Sequence, residues 1–352
     1  MALMRLLALQ SHQRRVQTEL AVYTTITDQD VSRHLLDYDI GELESLKGIA
    51  EGVQNSNYFL STTKGQYILT LYEQMVEEAD LPFYVGLMEH LYDNGINCPQ
   101  PMKMKNGKAL ATLCGRPAAI VSFLKGVSVS QPTQKHCKQL GIMLARMHLA
   151  TRNFSMHLDN ALSQSKWRAF YRRSEGRDKE IDENLPAIMQ AELDYLDDNW
   201  PMNLPSGVIH ADLFPDNVFF LGEKLSGFID FYFAANDLLA FDLAICLNAW
   251  CFDKDGNFNL RKSSSLLAGY QTVRALEKQE YDALPVLCRG ASVRFLVTRI
   301  YDWLNVPDGA LVTPHDPLIY MKRLQFHQTI NNAGQYGLEL QTSKQDNGKS
   351  GE

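Results

Sequence analysis

The sequence predicts an α+β chain of two lobes, a five-stranded antiparallel sheet with one helix followed by a mainly helical half. Three observations carry that expectation. Short β-type runs joined by glycine turns occupy the stretch from 43 to 72, helical periodicity dominates after about 125, and two apolar strands, each leading to an aspartate, interrupt the helices. A chain of 352 residues, 45% hydrophobic, has room for one large or two medium cores.

The elements follow in order. Thr27 or Asp28 caps a short helix through Tyr38. Leu43 to Lys47 begins a strand, Gly48-Ile-Ala-Glu-Gly52 turns it, and Asn57 to Thr62 and Tyr67 to Tyr72 continue the meander about Gly65. Leu81 to Asn94 has helical spacing, with Phe83, Leu87, Met88 and Leu91 on one face, and stops at Gly95. Strands over Met102 to Met104 and Ala118 to Phe123 complete a sheet lobe spanning 21–123. The second lobe, 124–340, contains helices over Lys135 to Leu149, Ile188 to Asp198 and Leu284 to Tyr301, with Ser122 to Gly126 as the hinge. Residues 1–20 read as a loose extension, because the apolar run is short, Arg5, Arg14 and Arg15 interrupt or follow it, and no small-residue cleavage pattern comes next. The polar tail, 341–352, reads as disordered.

Net charge is −7, from 34 basic and 41 acidic residues spread through the chain, so no basic stripe offers itself to nucleic acid or an anionic membrane. A small molecule is the expected partner, and nothing specifies an oligomer. The six cysteines lie singly, without zinc-site spacings or disulfide density, which predicts reduced thiols in a cytoplasmic protein.

The chemistry concentrates in Val208-Ile-His-Ala-Asp212-Leu-Phe-Pro-Asp-Asn217-Val-Phe-Phe and Gly227-Phe-Ile-Asp230-Phe-Tyr. An Asp at a strand end, an Asn five residues on and a second Asp after another apolar strand is a layout suited to phosphoryl transfer. Asp212 accepts a hydroxyl proton, while Asn217 and Asp230 offer oxygen to Mg²⁺ held against the triphosphate of ATP. A lone Asp-x-x-x-x-Asn is more often turn chemistry. Here the order and spacing of several such pieces favour the functional reading.

These motifs resemble the catalytic and metal-binding loops of protein-kinase-like enzymes, in particular the aminoglycoside phosphotransferase and choline kinase branch. Asp212 and Asp230 stand eighteen residues apart, as in that branch, and Leu140-Gly-x-x-Leu-Ala-x-Met-His148 and Asn236-Asp-Leu-Leu-Ala-Phe-Asp242 resemble its neighbouring blocks. More narrowly, Leu46-Lys-Gly-Ile-Ala-Glu-Gly-Val-Gln-Asn-Ser-Asn-Tyr, the Asp212 run and Ile229-Asp-Phe-Tyr-Phe-Ala resemble bacterial homoserine kinases of this fold, a likeness extending from Ala21 to His327. The resemblance implies an ATP-dependent kinase making O-phosphohomoserine in threonine biosynthesis. It implies that His210 holds the catalytic loop, although the residue type also suits a base, and that Asp242 receives backbone donors from that loop. Gly48, Gly52, Asn55, Ser56 and Asn57 occupy the position of a phosphate-covering hairpin, where the alternative is a plain β-turn.

The sequence departs from the family at the third strand, where Thr70 stands in place of the usual phosphate-binding Lys or Arg. On the following helix, Tyr84 or Val85 stands near the place of its partner Glu, and Glu89 comes one turn late. Lys47 is a candidate for supplying the missing charge. A zwitterionic acceptor calls for a bidentate Arg; Arg294 and Arg299 suit it, with surface pairing to Asp282 or Asp302 as the alternative. Tyr232, where a glycine is usual, narrows the space beside the metal and favours a small acceptor. Choline, ethanolamine, an aminoglycoside or a sugar is the nearest alternative substrate; a catalytically silent nucleotide-binding protein is the alternative of another class.

Overall fold

The structure, a computed structural model, describes residues 24–49, 55–73, 77–306 and 314–339; the expectations for 1–20, 341–352 and Gly52 lie outside them. Thr27 opens helix α1 (Asp28–Leu35) with a capping box, its hydroxyl accepting from the Asp30 N–H and the Asp30 carboxylate accepting from the Thr27 N–H. Strands β1 (Leu43–Ile49), β2 (Asn55–Thr62), β3 (Gly65–Tyr72), β4 (Leu110–Leu113) and β5 (Arg116–Ser122) form one antiparallel sheet in the order β1-β2-β3-β5-β4.

The two-residue period of the strands separates the sheet's faces. Leu60, Leu69, Leu71, Ala118 and Ile120 pack with Val31 and Leu35 of α1. The alternate residues of β1 to β3, among them Lys47, Asn57, Phe59, Thr70 and Tyr72, lie on the opposite face, which is continuous with the second lobe's core through Tyr72, Ala119 and Val121. Helix α2 (Leu81–Asp93) carries Pro82 in its first turn and buries Phe83, Leu87, Met88 and Leu91.

The fourth strand is Leu110–Leu113 rather than Met102 to Met104. Met104 forms an isolated bridge to Tyr38 and otherwise bonds within its own turn, to Lys108 and Gly107, while Met102 makes one backbone bond to Ile120; Pro99 and Pro101 bring no N–H to a ladder. Cys114 and Gly115, at φ 49° and 77°, make the two-residue turn that joins β4 to β5.

The second lobe gathers α3 (Gln134–Ala150), α4 (Gln164–Tyr171), α5 (Leu185–Asn199), α6 (Leu239–Trp250), α7 (Leu260–Gln271), α8 (Lys278–Leu304) and α9 (Leu318–Gln328) around one core. Helix α6 is apolar nearly all round and buried on every side, as such a pattern requires. β6 (Ser206–Ile209) pairs with β9 (Ala235–Leu238), while β7 (Val218–Leu221) and β8 (Lys224–Phe228) form a hairpin. Among the described residues no helix is long and apolar enough to cross a membrane.

Helices α3 and α7 cross through two glycines. A methyl on Gly141 would strike the Leu266 carbonyl, and one on Gly269 the Lys138 carbonyl. In an isolated helix Ala is better than Gly by about 1 kcal/mol. Here overpacking against backbone reverses the sign, at a cost of about 1–3 kcal/mol. Gly141→Ala and Gly269→Ala should each lower the melting temperature by roughly 5 °C in a thermal scan. A rise in either would contradict the packing.

Candidate active site

β6 ends at Ile209, and the chain then passes through His210, Ala211 and Asp212 before β7. Two anchors fix this loop. Asp242, in the first turn of α6, accepts the His210 N–H at 2.8 Å and the Ala211 N–H at 3.0 Å, and Trp250 Nε1 donates to the Leu213 carbonyl at 2.7 Å. His148 Nε2 lies 3.2 Å from the same Asp242 carboxylate, and its Nδ1 is 2.8 Å from the Tyr270 hydroxyl. Burial alone would push the Asp242 carboxyl up, but the hydrogen bonds from His148 and the loop outweigh it and hold the group below the ordinary carboxylate range.

The β7–β8 hairpin folds the second aspartate back beside the first. Ile229 N–H donates to the Asn217 carbonyl at 3.0 Å, and His210 Nε2 sits 3.0 Å from the Ile229 carbonyl, so the residue just before Asp230 is tied to both ends of the first loop. Burial pushes His210 down to about 4. Its ring is therefore neutral, with Nε2–H donating, which suits a tie between loops better than a base. Ala211 and Asp230 both hold left-handed backbone, at φ 62° and 63°. Asp tolerates that region, whereas Ala pays roughly 1–3 kcal/mol, offset by the bonds to Asp242.

Asn217 Nδ2 donates to the Asp212 carbonyl at 2.8 Å and to its carboxylate at 3.1 Å. With its NH₂ so engaged, Asn217 presents Oδ1 as an acceptor. Asp230 is open to solvent although protein closes round it, as on the floor of a cleft. One amide oxygen and one carboxylate form a hard donor set that fits Mg²⁺. Burial pushes the Asp212 carboxyl up to about 7, opposed by the Arg294 guanidinium and reinforced by Asp230. A carboxylate so placed holds a proton more readily than one in water.

On the sheet side, Lys47 is exposed on the cleft face, and Asn55 and Asn57 share that face. Ser56 points the other way, its hydroxyl donating to Glu73 at 2.8 Å, because adjacent strand residues alternate. Glu73 also pairs with Arg116, at 3.1 Å. Thr70, standing where a lysine is usual, bonds Asn57 Oδ1 at 2.8 Å, and Glu89 of α2 is taken by Lys103 at the surface. Among the described residues no Lys–Glu pair stands at this site.

Arg294 of α8 is 2% exposed, its Nε and Nη1 have no hydrogen-bond partner, and its charge is felt at Asp212. It lies over Phe295 at 4.1 Å and Phe233 at 5.7 Å. Arg299 stacks on Tyr320 at 4.4 Å and is half-buried. The alternative of a pair with Asp282 does not hold, since that carboxylate binds Lys278. Tyr232 stands edge-on to Tyr72 and Tyr84, its hydroxyl 3.1 Å from that of Tyr72. The sequence reading missed the part played by His148, Tyr72 and Phe233; the only available signal was the position of His148 in the block before the catalytic loop. A cavity of about 650 Å³ walled by His148, Arg152, Ser206 and Arg274 does not reach Asp212.

Two lobes joined beside an Asp-Asn-Asp cluster define a phosphotransferase of the kinase type. The profile of the phosphotransferase enzyme family matches residues 45–276, and the chain belongs to that family. The homoserine kinase of Agrobacterium fabrum is 54% identical over 319 residues, 91% of this chain and 99% of that protein. The homoserine kinase of Rhizobium etli is 54% identical over 321 residues, 91% of this chain and 100% of that one. Among solved structures, an amicoumacin kinase bound to AMP-PNP and Ca²⁺ superposes with a TM-score of 0.66 at 14% identity, covering 86% of this chain and 94% of that one. A spectinomycin phosphotransferase bound to ADP and spectinomycin gives a TM-score of 0.63 at 16% identity, covering 89% and 98%. Those two share the fold; the bacterial homoserine kinases share the sequence as well.

Proposed function

We propose that this chain is an ATP-dependent homoserine kinase of the cytoplasm, forming O-phosphohomoserine for threonine biosynthesis. The likeness to homoserine kinases along nine-tenths of the chain supports it. The observation that carries it is Arg294, a buried guanidinium with unpartnered N–H groups beside Asp212. Such a group suits the carboxylate of an amino acid, which choline, ethanolamine and sugars lack. Arg299 is a second, more open candidate for the same carboxylate, and Tyr232 limits the room beside the metal.

In this reading the lobes 21–123 and 124–340 hinge at Ser122 to Gly126, and ATP lies between them. Asp212 orients the homoserine hydroxyl and takes its proton as the oxygen attacks the γ-phosphorus; the bond to the β-phosphate oxygen breaks and ADP leaves. Asn217 Oδ1 and Asp230 would hold Mg²⁺, which neutralises charge on the triphosphate when bound. Gly48, Asn55 and Asn57 approach the phosphates, and Lys47 supplies a cation. His210 and Asp242 hold the catalytic loop.

A coupled assay of ADP release tests the substrate. With ATP and magnesium, homoserine should exceed choline, ethanolamine, an aminoglycoside and a hexose by at least about a hundredfold in kcat/KM, the range that one polar recognition group provides. Release with one of those alcohols and none with homoserine would overturn the proposal.

A further inference from the structure

We propose that four neutral groups, Asn57, Thr70, Tyr232 and Tyr72, do here what a lysine–glutamate ion pair does in kinases that possess one. They tie the sheet to the loop of Asp230 and set the Asn57 amide for a phosphate oxygen of the nucleotide. This rests on the nucleotide reading of the cleft given above.

Asn57 and Thr70 are direct partners in the β2–β3 register and share the cleft face. The Thr70 hydroxyl donates to Asn57 Oδ1 at 2.8 Å, which turns the amide so that Nδ2 is left to donate elsewhere. Tyr232, two residues beyond Asp230, reaches back to the sheet: its hydroxyl is 3.1 Å from that of Tyr72 and also interacts with Thr70. The rings of Tyr72 and Tyr84 pack edge-on against it, with centroids 5.5 and 5.7 Å away. Tyr84 lies on α2 in the stretch, Tyr84 or Val85, that stands near the place of the usual glutamate. A lysine at position 70 would lie against phenol rings and draw on Asp230, whose charge reaches Tyr72 and Tyr232, since Glu89 faces Lys103. Hydroxyls in the same place satisfy one another and leave the charge of Asp230 for the metal.

The array has both lobes at its ends, with Asn57 at the nucleotide face and Tyr232 on the metal side. Thr70 is the link. Removing its hydroxyl frees the Asn57 amide to rotate, and removing the Tyr232 hydroxyl releases the Asp230 loop from the sheet. Each is a positioning residue, acting on the nucleotide through a neighbour.

The test uses the full chain and measures the dissociation constant of AMP-PNP with magnesium by calorimetry, together with the KM for homoserine. Thr70→Val and Tyr232→Phe should each weaken the nucleotide about tenfold, the scale of one neutral hydrogen bond. The double variant should be no weaker than the worse single variant, because both cut one chain. The KM for homoserine should stay within about twofold in Thr70→Val, and Thr70→Ser, which keeps the hydroxyl, should bind as the natural protein does. Losses that multiply in the double variant, an equal loss for homoserine, unchanged nucleotide affinity or a weakened Thr70→Ser would each overturn the proposal. If the natural protein releases no ADP with homoserine while the nucleotide pattern holds, only the choice of acceptor fails.

Discussion

Asp212→Asn will lose at least a hundredfold in kcat, and up to about ten-thousandfold, while the metal-free protein melts at a higher temperature than the natural one at pH 8. The loss follows from removing the group assigned the hydroxyl proton, an effect of that order for a positioned base. Asn keeps an oxygen for the bond from Asn217 Nδ2, so the loop retains its shape and AMP-PNP should bind as before. The stability gain has a separate origin. Burial holds the Asp212 carboxyl up at about 7 in the fold, above its value in the unfolded chain. A folded-state value raised in this way means that the charge destabilises the fold once the pH exceeds about 7, and that the penalty fades as the pH falls toward 4. The neutral amide never carries it. The melting difference should therefore close on acidification, and a variant that melts lower at pH 8, or that keeps a tenth of the natural kcat, would contradict the assignment.

Arg294→Met should cost about a hundredfold or more in kcat/KM for homoserine and leave AMP-PNP affinity unchanged. Methionine fills the space of the apolar stem and deletes the charged fork that lies over Phe295 and Phe233. Truncating one partner of a buried charged pair costs about 2–5 kcal/mol. The control is the substrate analogue whose carboxylate is reduced to an alcohol. The natural enzyme should strongly prefer homoserine to this analogue, and Arg294→Met should nearly abolish the preference. Arg299→Met should have a much smaller effect, because that guanidinium lies half-open on Tyr320. If Arg299→Met proves the more damaging, the carboxylate is read one helical turn further on.

Much of this was legible in the sequence, for identifiable reasons. The β-meander showed because its strands alternate and end at glycine, and α1 showed because Thr27 and Asp28 are both cap-forming residues at its start. Asp212, Asn217 and Asp230 showed because their chemistry is tied to spacing along one hairpin. What stayed hidden depends on contacts between distant segments. β9, Ala235–Leu238, carries no strand signature and owes its form to pairing with β6. The fourth strand was misplaced because neither Met102 to Met104 nor Leu110 to Leu113 has a marked strand signature, and the Cys114-Gly115 turn decides the pairing. Ser56 entered the nucleotide set by its neighbours in sequence, and the pleat sends it to the other face. The environment of Arg294 depends on Phe233 and Asp212, which lie 61 and 82 positions away along the chain.

The glycine crossing of α3 and α7 reaches further than the melting point. The ring that braces Asp242 is mounted on α3 and is itself steadied by a phenol on α7, so the spacing of two remote helices bears on how the loop ahead of Asp212 is held. Gly141 and Gly269, by letting α3 and α7 meet backbone to backbone, bring the two halves of that brace together.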